Sequence, residues 1–427
     1  GFFGGDRTFY DDVVMLGPAR RLRVRAAGPS DLAVEDLGRW GSWTHAIDRR
    51  RTFDDTVDAF AERFEPIVQE LTADAPALPL SGGLDARSTL AALPPGHASW
   101  SFSYGWGARS IETRLARRMA AVRGLRFTAF DIGPYLLDDL DLALDAVEGF
   151  QDLTQTRQLG IREVLAARAS RVVCAHWGDV WLDDLGAAEA SALDEEELTD
   201  RALARAHKRG ADWLLEHLVA RHLGAPPRRR LRSDVAEELR VTGSLEAPDA
   251  RLRAWKTDGW SHRWTTASLR AHQAAAFPRL PFYSSRLTEF WATVDPEHLI
   301  GRRLQRAYLE RYAPDLARIP WQRSGLPLGA GRTRRTLAPV GRALAKARRR
   351  VRGERVIERN WEVQLFAPGA WQAVEDLLLG RGRRLPELVP TPALRDLLDR
   401  FIARPTPSLA YPVTMLLTFA ARLERDR

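Results

Sequence analysis

A single cysteine, Cys174, in 427 residues excludes a disulfide framework and any iron–sulfur or multi-cysteine metal site. That scarcity fits a reducing compartment, and a cytoplasmic location is expected. No run approaches the roughly 18 consecutive apolar residues that a membrane helix needs, so no transmembrane span is expected. No basic-then-apolar signal region opens the chain. It opens on Gly1 rather than Met, which leaves room for sequence upstream. Acidic charge is also short: 64 Lys and Arg stand against 56 Asp and Glu, a net charge of +8.

Much of that excess is local. Between Arg332 and Arg359, Arg334, Arg335, Arg342, Lys346, Arg348, Arg349, Arg350, Arg352 and Arg355 face only Glu354 and Glu358. Such a run suits a polyanion, a leader peptide or nucleotide phosphates, and equally a solvated helix face. No aromatic interleaving marks it as a single-strand binder, and nucleic acid is not the expected partner. The 45% hydrophobic content is that of a globular chain, and the length predicts two or three domains.

Along the chain, residues 1–50 read as short β structure, with Leu22 to Ala26 alternating like a half-exposed strand. Phe53, Val57, Phe60, Phe64, Ile67 and Val68 recur at helical spacing from Thr52 to Leu71, with Pro66 as a candidate kink. An apolar run then stops at Leu80-Ser81-Gly82-Gly83-Leu84-Asp85, which reads as strand, glycine turn and helix start. Such a turn aims backbone amides and a helix dipole at one point, which suits a phosphate; a purely structural turn reads the same way.

Beyond it strands alternate with helices: strands at Trp100–Tyr104, Leu125–Ile132 and Arg171–Ala175, helices at Ile111–Val122, Leu136–Val147 and Arg157–Ala169. This rhythm predicts an α/β fold with a doubly wound, mainly parallel sheet. Ligands of such sheets sit at the carboxyl ends of the strands. The glycine turn, Tyr104-Gly105-Trp106-Gly107 and His176-Trp177-Gly178-Asp179 all fall at such ends. After Gly186 the pattern becomes helical, with Ala202–His222 read as helix, Trp260, Trp264 and Phe277 as core aromatics, Pro278 and Pro281 as marking turns, and Ser285–Val294 as helix. Residues 331–427 read as a helical tail broken by prolines.

Three stretches combine. Asp85 and Asp179 fall at one sheet edge, and two carboxylates beside phosphate oxygens are what magnesium takes. Trp321-Gln322-Arg323-Ser324-Gly325 adds a cation able to neutralise charge on a breaking phosphate bond. This set resembles the asparagine-synthetase-like family, whose synthetase domain carries a pyrophosphatase-type SGGxDS loop. The resemblance runs from about Thr8 to Pro327, taking in Ser101-Phe102-Ser103-Tyr104-Gly105 with Glu112, Ala175-His176-Trp177-Gly178-Asp179, and the R-x-P-F turn Arg279-Leu280-Pro281-Phe282.

The resemblance implies a PP-loop (adenine-nucleotide alpha-hydrolase-like) fold. It divides the chain into a glutaminase-like remnant at 1–50, an ATP-dependent synthetase domain at 51–330 and a basic helical region at 331–427. It implies an ATP- and magnesium-dependent ligase that adenylates a carboxylate and lets an amine displace AMP. Pyrophosphate would lie on Ser81, Gly82 and Gly83, with Asp85 and Asp179 on magnesium and Gly178 beside them. Adenine would meet the main chain near Leu80, Tyr104, Cys174 and Ala175.

His176 stands where relatives place a glutamate or tyrosine that assists the amine; an imidazole titrating near neutrality suits that task, and a structural histidine is the other reading. Arg323 replaces a lysine. Ala86 replaces the serine of SGGxDS, with Arg87 or Ser88 as candidate substitutes for its hydroxyl. Val180 follows Asp179 in place of glutamate.

The expected substrate is a carboxylate on a peptide or natural product, joined to an amine as in lasso-peptide macrolactam formation. A glutaminase domain or a biosynthetic protein is a candidate partner. The alternatives are an amidotransferase using ammonia or glutamine on a small or sugar carboxylate, a tRNA-modifying enzyme with the same loop, and a non-catalytic binding partner.

Overall fold

Five parallel strands divide the buried side chains between two layers of helix. The computed structural model describes residues 4–28, 31–41, 45–106, 110–189, 192–219, 225–331, 357 and 359–425. The strands are β3 (Ala77–Pro79), β4 (Trp100–Gly105), β5 (Arg126–Asp131), β6 (Arg171–Val173) and β7 (Phe277–Arg279), in the order β5-β4-β3-β6-β7. A separate antiparallel hairpin of β1 (Arg20–Ala26) and β2 (Leu32–Arg39) precedes them. Successive strand residues point to opposite faces. Leu78 and Val173 therefore join one buried cluster, and Ala77 and Val172 join the other.

The first cluster is closed by α1 (Phe53–Thr72), α2 (Leu84–Ala91), α3 (Ile111–Val122) and the helix Arg303–Tyr312. Thr52 and Asp55 form a capping box that starts α1, and the helix continues past Pro66. Its Phe60 stacks on Phe64 at 5.0 Å and meets Tyr308 edge-on at 5.1 Å. The second cluster joins Phe102 and Cys174 to Leu144 and to C-terminal helices between Asn360 and Arg425, so those helices share a core with the sheet. Helices on both faces of an all-parallel sheet make this an α/β architecture compatible with the doubly wound type. The basic run from Arg332 to Arg355 and Gly107 lie outside the described residues.

Local differences from the sequence reading have identifiable causes. Phe277–Arg279 is a strand, not a turn; it is the sheet edge, where Pro278 costs no interior ladder bond. Phe277 is consequently 64% exposed and is not a core aromatic. Within 202–219, helix runs only to Ala206, where His207 turns extended, and resumes at Ala211–His217 after Gly210 at a left-handed φ of +92°. Arg157–Ile161 winds as a tighter 3₁₀ turn before the helix Arg162–Arg168. A long helix runs from Pro248 to Gln273 through a π turn at Lys256–Ser261, a feature that often re-aims side chains at functional sites.

Within that helix Arg253 is almost fully buried and paired with equally buried Asp249 at 3.1 Å. Its Nη1 also donates to the Trp181 carbonyl at 2.8 Å and its Nη2 to that of Asp183 at 3.3 Å. These bonds fasten the chain that follows Asp179 to the helix. Arg253→Leu strands the Asp249 charge and those carbonyls, and is expected to lower the unfolding free energy by about 3–5 kcal/mol in urea titrations.

Candidate functional site

The strand order reverses between β3 and β6, and a crevice opens at their carboxyl ends. On the β3 side, Leu80 N–H donates to the Phe102 carbonyl at 2.7 Å, and Gly83 N–H donates to Ser81 Oγ at 3.3 Å. Gly83 is the N-cap of α2 and no side chain caps the helix, so its first amides carry no side-chain acceptor at that position. On the β6 side, buried Trp177 takes a left-handed φ of +75° and stacks on Tyr283 at 4.2 Å. That strained turn starts the helix Gly178–Leu182 and carries Asp179 to the crevice. The two loops touch: a Cβ on Gly178 would fall 2.6 Å from Cγ of Asp85.

A cavity of about 250 Å³ lies there. Of the residues expected from sequence, Leu80, Ser81, Gly83, Asp85, Tyr104, Ala175, His176 and Asp179 line it, and so does the methyl of Ala86. The others stand apart. Gly82 is pressed by Gln322, whose N–H donates to its carbonyl at 3.2 Å, and by Leu115. Gly178 serves by its lack of a side chain, and Cys174 is wholly buried behind the wall.

Arg87 and Ser88 are corrections. Both are fully buried and neither lines the cavity, since they follow Ala86 around α2 toward its inner side. The Arg87 guanidinium donates to the carbonyls of Ile319 at 2.7 Å, Pro320 at 2.8 Å and Leu316 at 3.2 Å, which holds the 321–326 loop against Gly82. Ser88 Oγ has no hydrogen-bond partner. Arg323 is exposed, 5.8 Å over the Trp321 ring, and also lies outside the cavity lining.

The cations at the acids come instead from positions without a motif. Arg302 donates to Asp85 Oδ1 at 2.7 Å and to Asp183 Oδ1 at 2.8 Å, from a left-handed backbone at φ +61°. Gln305 donates to the same Asp85 oxygen at 2.9 Å. Lys256, on the π turn, donates to the Asp179 carbonyl at 2.8 Å and to Asp183 Oδ2 at 3.3 Å. Burial pushes the Asp85 carboxyl above the usual range, against the pull of Arg302, and the charge of Asp179 adds to the rise. The bonds from Arg302 and Gln305 to Asp85 both fall on Oδ1, leaving Oδ2 and the Asp179 carboxylate as the pair able to hold a divalent cation.

Glu112, Arg157, His272 and Ser103 also line the cavity. Glu112 belongs to the resemblance; Arg157 and His272 carried no signal in sequence. Arg157 lies 5.6 Å over the Tyr104 ring. Burial raises the Glu112 carboxyl, opposed by Arg157. Burial pushes His176 down to about 4 and His272 to about 3. His176 is therefore neutral at pH 7, and titration near neutrality is corrected: desolvation of the imidazolium outweighs the nearby Asp179.

No protein-family model matches the chain, and no curated protein matches it. The geometry itself is open to test. Asp85 is pinned by Arg302 and Gln305, so Gly178→Ala forces a clash that it cannot relieve. The variant is expected to lose about 1–3 kcal/mol of stability by urea unfolding. Asp85→Ala removes the clashing group, so the double variant loses less than the sum of the two singles.

Proposed function

We propose that the chain is an ATP-dependent amide-forming ligase of the PP-loop type, acting on a carboxylate-bearing peptide or natural product in the manner of a macrolactam cyclase. The observation that carries this reading is one cavity holding an uncapped glycine-loop helix start and two acids from opposite sides of the sheet switch. The amides at Ser81 and Gly83 and the start of α2 suit a pyrophosphate. Magnesium, when bound, neutralises phosphate charge, and Asp85 Oδ2 with Asp179 would hold it. The substrate carboxylate oxygen attacks the α-phosphorus of ATP and pyrophosphate leaves; the amine then attacks the acyl carbon, AMP leaves, and the amine gives up a proton.

Within this reading the cationic role moves from Arg323 to Arg157, which lines the cavity, and Arg302, which balances the acids. Neutral His176 accepts a proton weakly. Glu112, whose carboxyl burial raises against the pull of Arg157, is the other acceptor in the cavity lining. A second cavity of about 450 Å³, walled by Trp40, Trp181 and Tyr283, favours an extended acceptor over a small one. Its Tyr283 packs on the Trp177 turn.

ATP–pyrophosphate exchange across peptides and small carboxylates tests the proposal. Exchange stimulated by a carboxylate is expected, and Asp179→Asn should lower it on the order of 100-fold. Absence of both exchange and nucleotide binding would sink the reading, and stimulation by tRNA alone would replace it.

Ala86 supplies a finer test. Ala86 lines the cavity, so the hydroxyl of Ala86→Ser is expected to add one hydrogen bond to a phosphate and tighten ATP about 2–10-fold by calorimetry. Ser88→Ala, away from the cavity, should leave that affinity unchanged.

A further inference from the structure

At the β6 side of the cavity, three side chains with metal-ligand chemistry converge, His176 and His272 in its lining and Cys174 buried behind them. Cys174 and His176 lie one and three residues beyond the end of β6, Cys174 directly after the strand and His176 in the turn that follows. His272 reaches them from the last turn of the helix His262–Gln273. The Cys174 Sγ and one ring nitrogen of each histidine all lie within 4.8 Å of one another. Ligand atoms around a tetrahedral zinc with bonds of about 2.0–2.3 Å are roughly 3.3–3.8 Å apart. The cluster thus needs a closure of about 1 Å, within the reach of side-chain rotation.

We propose that Cys174, His176 and His272 form a binding site for a zinc-like transition-metal ion, with the fourth position open to the cavity. Two features point to a ligand beyond the spacing. His272 is 1% exposed, yet its Nδ1 has no hydrogen-bond partner, an arrangement that a buried imidazole ordinarily avoids and that a metal bond completes. The carboxyl end of the helix His262–Gln273 is the negative end of its dipole and favours a cation there. The donor set is soft, one sulfur and two nitrogens, and selects zinc over magnesium.

The surroundings are consistent with metal chemistry. Burial keeps both imidazoles neutral, which ligation requires, and the thiol as a thiol until a metal displaces its proton. Binding releases that one proton, and the thiolate offsets one of the two metal charges. The charge of Asp179 acts on His176 in the metal's favour, and Arg157 acts on both histidines against it. A metal on His176 occupies its lone pair and leaves Glu112 as the proton acceptor.

The inference does not depend on ATP chemistry, and its test uses none. The full-length chain, stripped with chelator and held in excess Mg²⁺ to saturate the carboxylates, is titrated with Zn²⁺ alone and with Co²⁺ alone. One equivalent per chain is expected, and the cobalt form should show a thiolate-to-metal charge-transfer band in the near ultraviolet. Cys174→Ser should abolish that band, and His272→Gln should weaken uptake by about 10-fold or more.

Circular dichroism identifies any variant that fails to fold, in which case the wild-type cobalt spectrum decides. A wild-type spectrum without the thiolate band overturns the site, as does uptake unchanged in folded His272→Gln.

Discussion

The site depends on two loops meeting at a distance that leaves no room for a side chain. Gly178 lies against the Asp85 carboxylate, and that contact brings the acids of the β3 and β6 loops to one cavity. Two carboxylates this close repel, and burial raises the cost. Arg302, Gln305 and Lys256 meet that cost from outside the loops, and Arg253 fastens the strand of chain between them. The strained Trp177 turn fits the same account: its left-handed backbone is held by burial and by stacking on Tyr283.

The sheet and its loops were legible because their causes are local. Aromatic residues alternating with serine at Trp100–Gly105, the helical spacing of Phe60, Phe64 and Ile67, and the glycines at 82, 83 and 178 each act within a few residues. The edge strand at Phe277 was not legible, since Pro278 marks a turn unless its place at the sheet edge is known. Phe277 illustrates the same limit, because an aromatic is read as core until the fold puts it on an edge.

The charge balance of the site was less legible still. Arg323 stood in a glycine loop and so looked like the cation, whereas Arg302 lies 217 residues beyond Asp85 in an unremarkable basic stretch. Nothing within reach of Asp85 along the chain announces its partner. Arg87 erred the other way: proximity to the glycine loop implied phosphate contact, but the rotation of α2 turns it inward onto three carbonyls. Ala86 lines the cavity while Arg87 and Ser88, further round the helix, are buried in the core.

Burial also decides which group can handle a proton. In water an imidazole is the natural acceptor near pH 7 and a carboxylate is too weak a base. Removing solvent moves the two in opposite directions, because each loses stability in its charged form and the charged forms lie on opposite sides of the titration. His176 falls to about 4 while Glu112 rises. Within one cavity, then, burial favours the neutral form of both groups: a histidine free to donate an electron pair, and a glutamate that holds a proton more readily than in water. The two proposals assign different tasks to these neighbours for that single reason.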